Sequence, residues 1–233
     1  MSLLNFDKTV PYIRKKGIAG YFQLIFHNFF DLVLLNFIFM ITSLPIITLG
    51  ASYKALISVC NKYAEDEVVY PIREYFSRFK ENFLKSSLYG LLFTAIFFII
   101  AFSSLFYLNL SKDNIIFFLF AVVGAICLML LIMMACWFFP LLTKVNQNLK
   151  TLIINSFVLS FSYIKPSLLY LLTVFICSAL VFSLFPYSVP FIAILPFMLI
   201  ALASSCGAAE KINETFSLKS ENDDKSENEE DEE

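Results

Sequence analysis

The sequence predicts an all-α fold, a polytopic membrane protein of about five transmembrane helices. Three observations carry this: composition, the spacing of charges, and prolines where uncharged stretches outrun a bilayer. Of 233 residues 59% are hydrophobic and 17% aromatic, and the 28 phenylalanines exceed what a soluble core of this size buries. Mean hydropathy is +0.76. A bilayer core is about 30 Å thick and a helix rises about 1.5 Å per residue, so a crossing needs roughly 20 nearly uncharged residues.

The expected spans are 28–49, 88–110, 115–142, 167–185 and 191–208. The first carries Asp31 and Asn36 but is otherwise apolar. The last two come from one uncharged stretch between Lys165 and Glu210, about twice the hydrocarbon thickness, which must fold back. Pro186 and Pro190 mark the fold-back, because proline lacks the N–H that would continue a helix. Residues 151–164 are apolar but short, which suits an interfacial or re-entrant helix. The expected domain organisation is a basic and aromatic N-terminal interfacial segment (1–27), a membrane domain (28–217) and a disordered acidic tail (218–233). Residues 6–20 contain proline and a basic cluster, with no apolar run that ends in a small-residue cleavage site, so no cleavable signal peptide is expected.

With five spans, Lys8, Arg14, Lys15, Lys16 and Lys112 share one side, and the other twelve lysines and arginines share the opposite side. Positive charge accumulates in the cytoplasm, which places the C-terminus there. The Arg14-Lys15-Lys16 cluster argues against this orientation, because it stands just before the first span on the sparse side. The five cysteines have no paired spacing, so neither a disulfide framework nor a metal site is indicated.

Two stretches echo each other. Leu44-Pro45-Ile46-Ile47-Thr48 is answered by Phe139-Pro140-Leu141-Leu142-Thr143, and each is followed by a polar stretch and then by Lys85-Ser86-Ser87-Leu88 or Lys165-Pro166-Ser167-Leu168. The shared order is a candidate internal parallel repeat. Pro45, Thr48, Gly50, Pro140 and Thr143 are boundary residues in this reading: proline frees a carbonyl, threonine helps satisfy such groups, and glycine allows close approach.

Amphipathic cytoplasmic helices are expected between spans 1 and 2 and between spans 3 and 4. In the first, Tyr53, Leu56, Cys60 and Tyr63 share one helical face with Lys54, Ser58, Asn61 and Lys62 elsewhere. After Pro71 a second stripe of Ile72, Phe76, Phe79 and Phe83 alternates with Arg73, Arg78, Lys80 and Lys85, which suits an anionic leaflet or a partner surface. Acids interleaved with these bases exclude a nucleic-acid patch.

The run FHNFFDLVLLNFIFMITSLPIITLGASYKAL, followed by EYFSRFKENFLKSSLYGLL, resembles the YesL family of bacterial membrane proteins, a domain of unknown function. The likeness rests on Leu35-Asn36, Leu44-Pro45, Thr48-x-Gly50-Ala51 and Phe79-Lys80-Glu81-Asn82-Phe83. It implies a small multi-span protein of Gram-positive type bacteria, encoded near genes for carbohydrate uptake and polysaccharide breakdown. It brings no activity.

His27 and Asp31 lie four apart, with Asn36 further along, and are the candidate intramembrane polar contacts. One histidine with one aspartate lacks the ligands for zinc, and no phosphate loop, nucleophile elbow or paired carboxylates appear within the spans. The expected function is therefore a non-catalytic accessory component of carbohydrate uptake or sensing in a bacterial cell membrane. The alternative is a small transporter or channel subunit. No cofactor is expected; the expected partners are the lipid bilayer and components of such a system, with no nucleic acid.

Overall fold

The computed structural model describes residues 18–65, 69–111, 115–144, 148–183, 196–208 and 211–212. The acidic tail, the Pro186–Pro190 fold-back, the N-terminal basic cluster and the first five residues of the expected span 191–208 lie outside them. Among the described residues every regular element is helical. They are α1 (Ile18–His27), α2 (Phe29–Ser43), α3 (Leu49–Ala64), α4 (Pro71–Lys80), α5 (Phe83–Leu110), α6 (Ile115–Lys144), α7 (Leu149–Ser162) and α8 (Ile164–Ser183). α9 is Pro196–Ala208. A 3-10 turn, Ile46–Thr48, joins α2 to α3.

α5, α6 and α8 are long and apolar enough to cross a membrane, or four crossings exist by length if the bent pair α1 and α2 counts as one. The most apolar stretches of the three are 0%, 6% and 17% buried. Phe98, Ile99, Phe102, Leu119 and Phe175 face outward while Ser86, Ser87, Ser156, Ser160 and Ser167 face inward. That inversion is compatible with a membrane location, since a protein in water would leave no such apolar surface uncovered. α5 and α6 form an antiparallel hairpin: Tyr107 stacks on Phe117 near the turn, and Phe93 meets Phe138 towards the open end. The start of α5 and the end of α6 therefore lie at one end of the bundle.

The expected first span is not one helix. α2 ends at Ser43 after 15 residues, a length of about 22 Å, because Pro45 at φ −75°, ψ 121° is extended. α1 and α2 are bent by 80°. α2 and α3 instead form an antiparallel hairpin. Thr48 Oγ1 donates across its tip to the carbonyls of Thr42 (2.6 Å) and Pro45 (2.7 Å). At its open end Tyr63 donates to Asp31 Oδ2 at 3.1 Å. That open end is next to the end of α6, where Lys144 pairs with Glu65 at 2.6 Å. Leu44, Ile46 and Ile47 at the tip are exposed.

α3 is also not the surface-lying helix that its spacing predicts. Twelve of its 16 residues are buried, including Lys54, Ser58 and Asn61, because α2, α4, α5 and α6 enclose it. α4 corrects the second stripe. The residue it buries is Tyr75, with Phe79 partly buried beside it, while Ile72 and Phe76 stay 42% exposed and Phe83 opens α5. α7, the helix between the third and fourth expected spans, presents Leu152, Ser156, Leu159 and Ser160 to the bundle and Ile154, Phe157, Val158 and Phe161 outward.

The closest packing is between two backbones. A Cβ on Gly50 would lie 2.3 Å from the Ser86 carbonyl oxygen and 2.7 Å from the Gly90 Cα. Neither atom belongs to a side chain that could swing away, so α3 and α5 must part if either glycine gains a methyl. Gly124 faces the Ser104 side chain, with a Cβ contact of 3.0 Å. Gly50→Ala is expected to destabilise by ~1–3 kcal/mol, the usual cost of overpacking, and by more than Gly124→Ala. Thermal melting in detergent checks the order; equal midpoints would contradict the backbone contact.

Candidate functional site

The polar groups of the molecule gather around α3, each bonding it to a different neighbour. From α2 comes the Asp31 carboxylate, held by Tyr63. From α6, Thr143 Oγ1 accepts from Asn61 Nδ2 at 3.0 Å. From the α4–α5 junction, the Glu81 carbonyl accepts from Lys54 Nζ at 3.0 Å. From α4, the Tyr75 hydroxyl lies 3.3 Å from the Ser52 carbonyl and 2.6 Å from Thr42 Oγ1 on α2. From α9, Ser205 Oγ donates to the Ile57 carbonyl at 3.4 Å.

Burial sets the electrostatics of this seam. It lowers the affinity of the Lys54 ammonium for its proton, with the Glu81 carboxylate opposing and Arg78 and Lys85 adding to the effect. The same loss of solvent pushes Tyr63 well above the usual phenol range, and the adjacent Asp31 charge raises it further. Burial raises Tyr75 to about 12, against the hydrogen bonds to Thr42 and Ser52. Phenols held this firmly in their neutral form donate hydrogen bonds and do not act as bases at neutral pH.

Of the intramembrane polar candidates, Asn36 is fully buried and its Oδ1 accepts from the Met198 N–H at 3.2 Å. Met198 is in the first turn of α9, whose opening N–H groups have no intrahelical partners, so Asn36 caps that helix from another part of the chain. His27 ends α1 on the exposed side, and Asn28, buried at the bend, donates to the Leu24 carbonyl at 3.3 Å. Among the described residues, no group of three or more His, Cys, Asp or Glu side chains is placed to hold a metal.

The boundary residues share one bond and differ in everything around it. Thr143 Oγ1 donates to the Pro140 carbonyl at 2.7 Å, as Thr48 does to Pro45. Yet the chain turns at Pro45, whereas α6 continues through Pro140. A proline leaves the carbonyl four residues earlier without its helical partner; for Pro140 that is Cys136, and Ser204 Oγ from α9 fills the vacancy at 2.7 Å.

Sequence reasoning missed Tyr75, Ser167 and Ser204. Trp137 Nε1 donates to Ser167 Oγ at 2.8 Å, tying α6 to α8. The signal for Ser204 was present, because a mid-helix proline implies that some donor must cover Cys136. Nothing local marks Tyr75, whose partners lie 33 and 23 residues away.

A family model described as "Protein of unknown function, DUF624" matches residues 32–104. That stretch contains most of α2, all of α3 and α4, and most of α5, and so includes the hairpin and its seam. No curated protein and no solved structure matches the chain. With its apolar helices, the chain reads as a membrane protein similar over this segment to a family without an assigned activity.

The Asp31–Tyr63 bond is expected to couple the open end of the hairpin by about 1 kcal/mol. A double-mutant cycle of Asp31→Ala and Tyr63→Phe, followed by thermal unfolding, measures it. Additive effects would mean that the hairpin closes without this bond.

Proposed function

We propose that this is a non-catalytic multi-pass protein of a bacterial cell membrane, an accessory component that assembles with a carbohydrate uptake or sensing system. The observation that carries the non-catalytic part is the use to which the polar groups are put. Asp31, Asn36, Thr42 and Thr143, the groups a substrate would need, are engaged with Tyr63, Met198, Tyr75 and Asn61. They hold helices together, and a transport pathway would need them turned towards water. The carbohydrate association rests on the YesL-like motifs.

The topology that suits this reading has four crossings: α5, α6, α8 and the segment 191–208. α2 and α3 make a re-entrant hairpin that enters and leaves at one face, since Asp31 and Tyr63 meet at its open end and Glu65 pairs with Lys144 there. The chain leading into α1 then starts on that face too, and Arg14, Lys15 and Lys16 join Lys62, Lys85 and Lys144 in the cytoplasm. Lys112 is left on the far side, which removes the conflict that five crossings create. Both termini are cytoplasmic.

The partner surface on this account is the outer side of α4, where Ile72 and Phe76 are exposed beside Arg73 and Lys80. Ile72→Ser with Phe76→Ser should leave the thermal midpoint unchanged, since both side chains point away from Tyr75. The substituted protein, purified in mild detergent, should lose co-purifying components of a carbohydrate transport or sensing system that the unaltered protein retains. Retention of those components by the variant would move the interface elsewhere. Solute flux through liposomes holding the purified protein alone would favour the transporter reading.

A further inference from the structure

A cavity of about 160 Å³ opens where α3, the start of α5 and the end of α6 converge. Lys54, Lys85 and Lys144 line it, together with Asn82, Ser86 and Thr143. We infer that this cavity binds a phosphate group, carried by an anionic lipid or by a soluble phosphate.

Charge is the first argument. Three ammonium-bearing side chains line the space with one acid, Glu81, whose carboxylate turns to Arg78 at 2.9 Å and leaves its carbonyl to Lys54. Lys54 is only 4% exposed, and the hydrogen bond to Glu81 uses one of its three donors. A buried ammonium is costly unless charge-assisted bonds offset its lost hydration, and a phosphate oxygen supplies such bonds.

Position is the second. α5 is 28 residues long, and its N-cap, Asn82, stands in the left-handed region at φ 52° and makes no side-chain cap. The first-turn N–H groups of α5, which have no intrahelical acceptors, open beside the cavity at the positive end of the helix dipole. The end of α6 brings carbonyls of opposite sign, and Lys144 lies on that last turn to complement them.

Size and surroundings narrow the ligand. The cavity is smaller than the roughly 300 Å³ at which pockets begin to hold drug-sized molecules, so it suits a phosphate and not a sugar ring. Leu84 and Leu88, 82% and 55% exposed on the first turns of α5, offer apolar surface for acyl chains. Basic pockets between membrane helices at the cytoplasmic face take lipid headgroups by this combination.

The test uses the full chain in an uncharged detergent, with the melting of its single tryptophan, Trp137, as the folding readout. Inorganic phosphate, phosphatidylglycerol and phosphatidylcholine are titrated separately. Phosphatidylglycerol is expected to raise the melting temperature by several degrees while phosphatidylcholine does not. Lys85→Gln with Lys144→Gln should weaken the effect at least tenfold, and Lys80→Gln, outside the cavity, should leave it unchanged. Because Lys144 also pairs with Glu65, Glu65→Gln removes that pair while keeping the cavity's charge, and should retain binding. If the double variant proves unstable, Lys85→Gln alone should still show the loss. A shift with inorganic phosphate as well as with the lipid identifies a soluble phosphate as sufficient; a shift with phosphatidylglycerol alone identifies a lipid headgroup. Equal responses to the two lipids with none to phosphate, or full affinity in the variants that lack Lys85, would overturn the site.

Discussion

A helix enclosed on every side must give each polar side chain it carries a partner on a neighbour, because no water is present to do so. α3 is such a helix, and its polar residues fix the surrounding architecture. Lys54 reaches the α4–α5 junction, Asn61 reaches α6 and Tyr63 reaches α2. Gly50 adds the one place where α3 and another backbone touch, against Gly90 of α5. Shifting any neighbour by a helical turn would strand a buried donor, an error costing about 1–3 kcal/mol for each group. The apolar surfaces of α5, α6 and α8 exert no comparable control, since lipid tails solvate them as well as a protein neighbour would.

The two proline motifs show how tertiary context decides a local outcome. Both carry the same threonine-to-proline hydrogen bond at 2.7 Å. At Pro140 a serine on α9 replaces the lost helical bond, and α6 runs on. At Pro45 the 3-10 turn intervenes, and the chain reverses into α3. The candidate repeat is thus a likeness of local bonding whose two copies support different paths.

Much of the fold was legible in the sequence where composition decides it. Residues 88–110 and 115–142 became α5 and α6, and residues 167–185 fall largely on α8, because long uncharged runs have few alternatives in a bilayer. The α2–α3 hairpin was hidden for the opposite reason. Its arms are 15 and 16 residues, too short for hydropathy to separate a crossing from a re-entrant arm. The lysine and asparagines of α3 gave the pattern of a surface helix, and only their partners, 27 and 82 residues away, make burial tolerable. Candidate site residues were legible as polar anomalies within apolar runs, as Asp31 and Asn36 show. Their roles depended on Tyr63 and Met198, which nothing local announces.

The central claim is that α3 returns the chain to the face from which α2 left it, closing the hairpin beside the end of α6. Site-directed labelling tests this most directly. In a cysteine-free background, single cysteines at Gln23, Glu65 and Ser111 are exposed to a membrane-impermeant thiol reagent in vesicles of known orientation. The account predicts that positions 23 and 65 react from the same side and position 111 from the other. Reaction of positions 23 and 65 from opposite sides would make residues 28–49 a true crossing and contradict the hairpin.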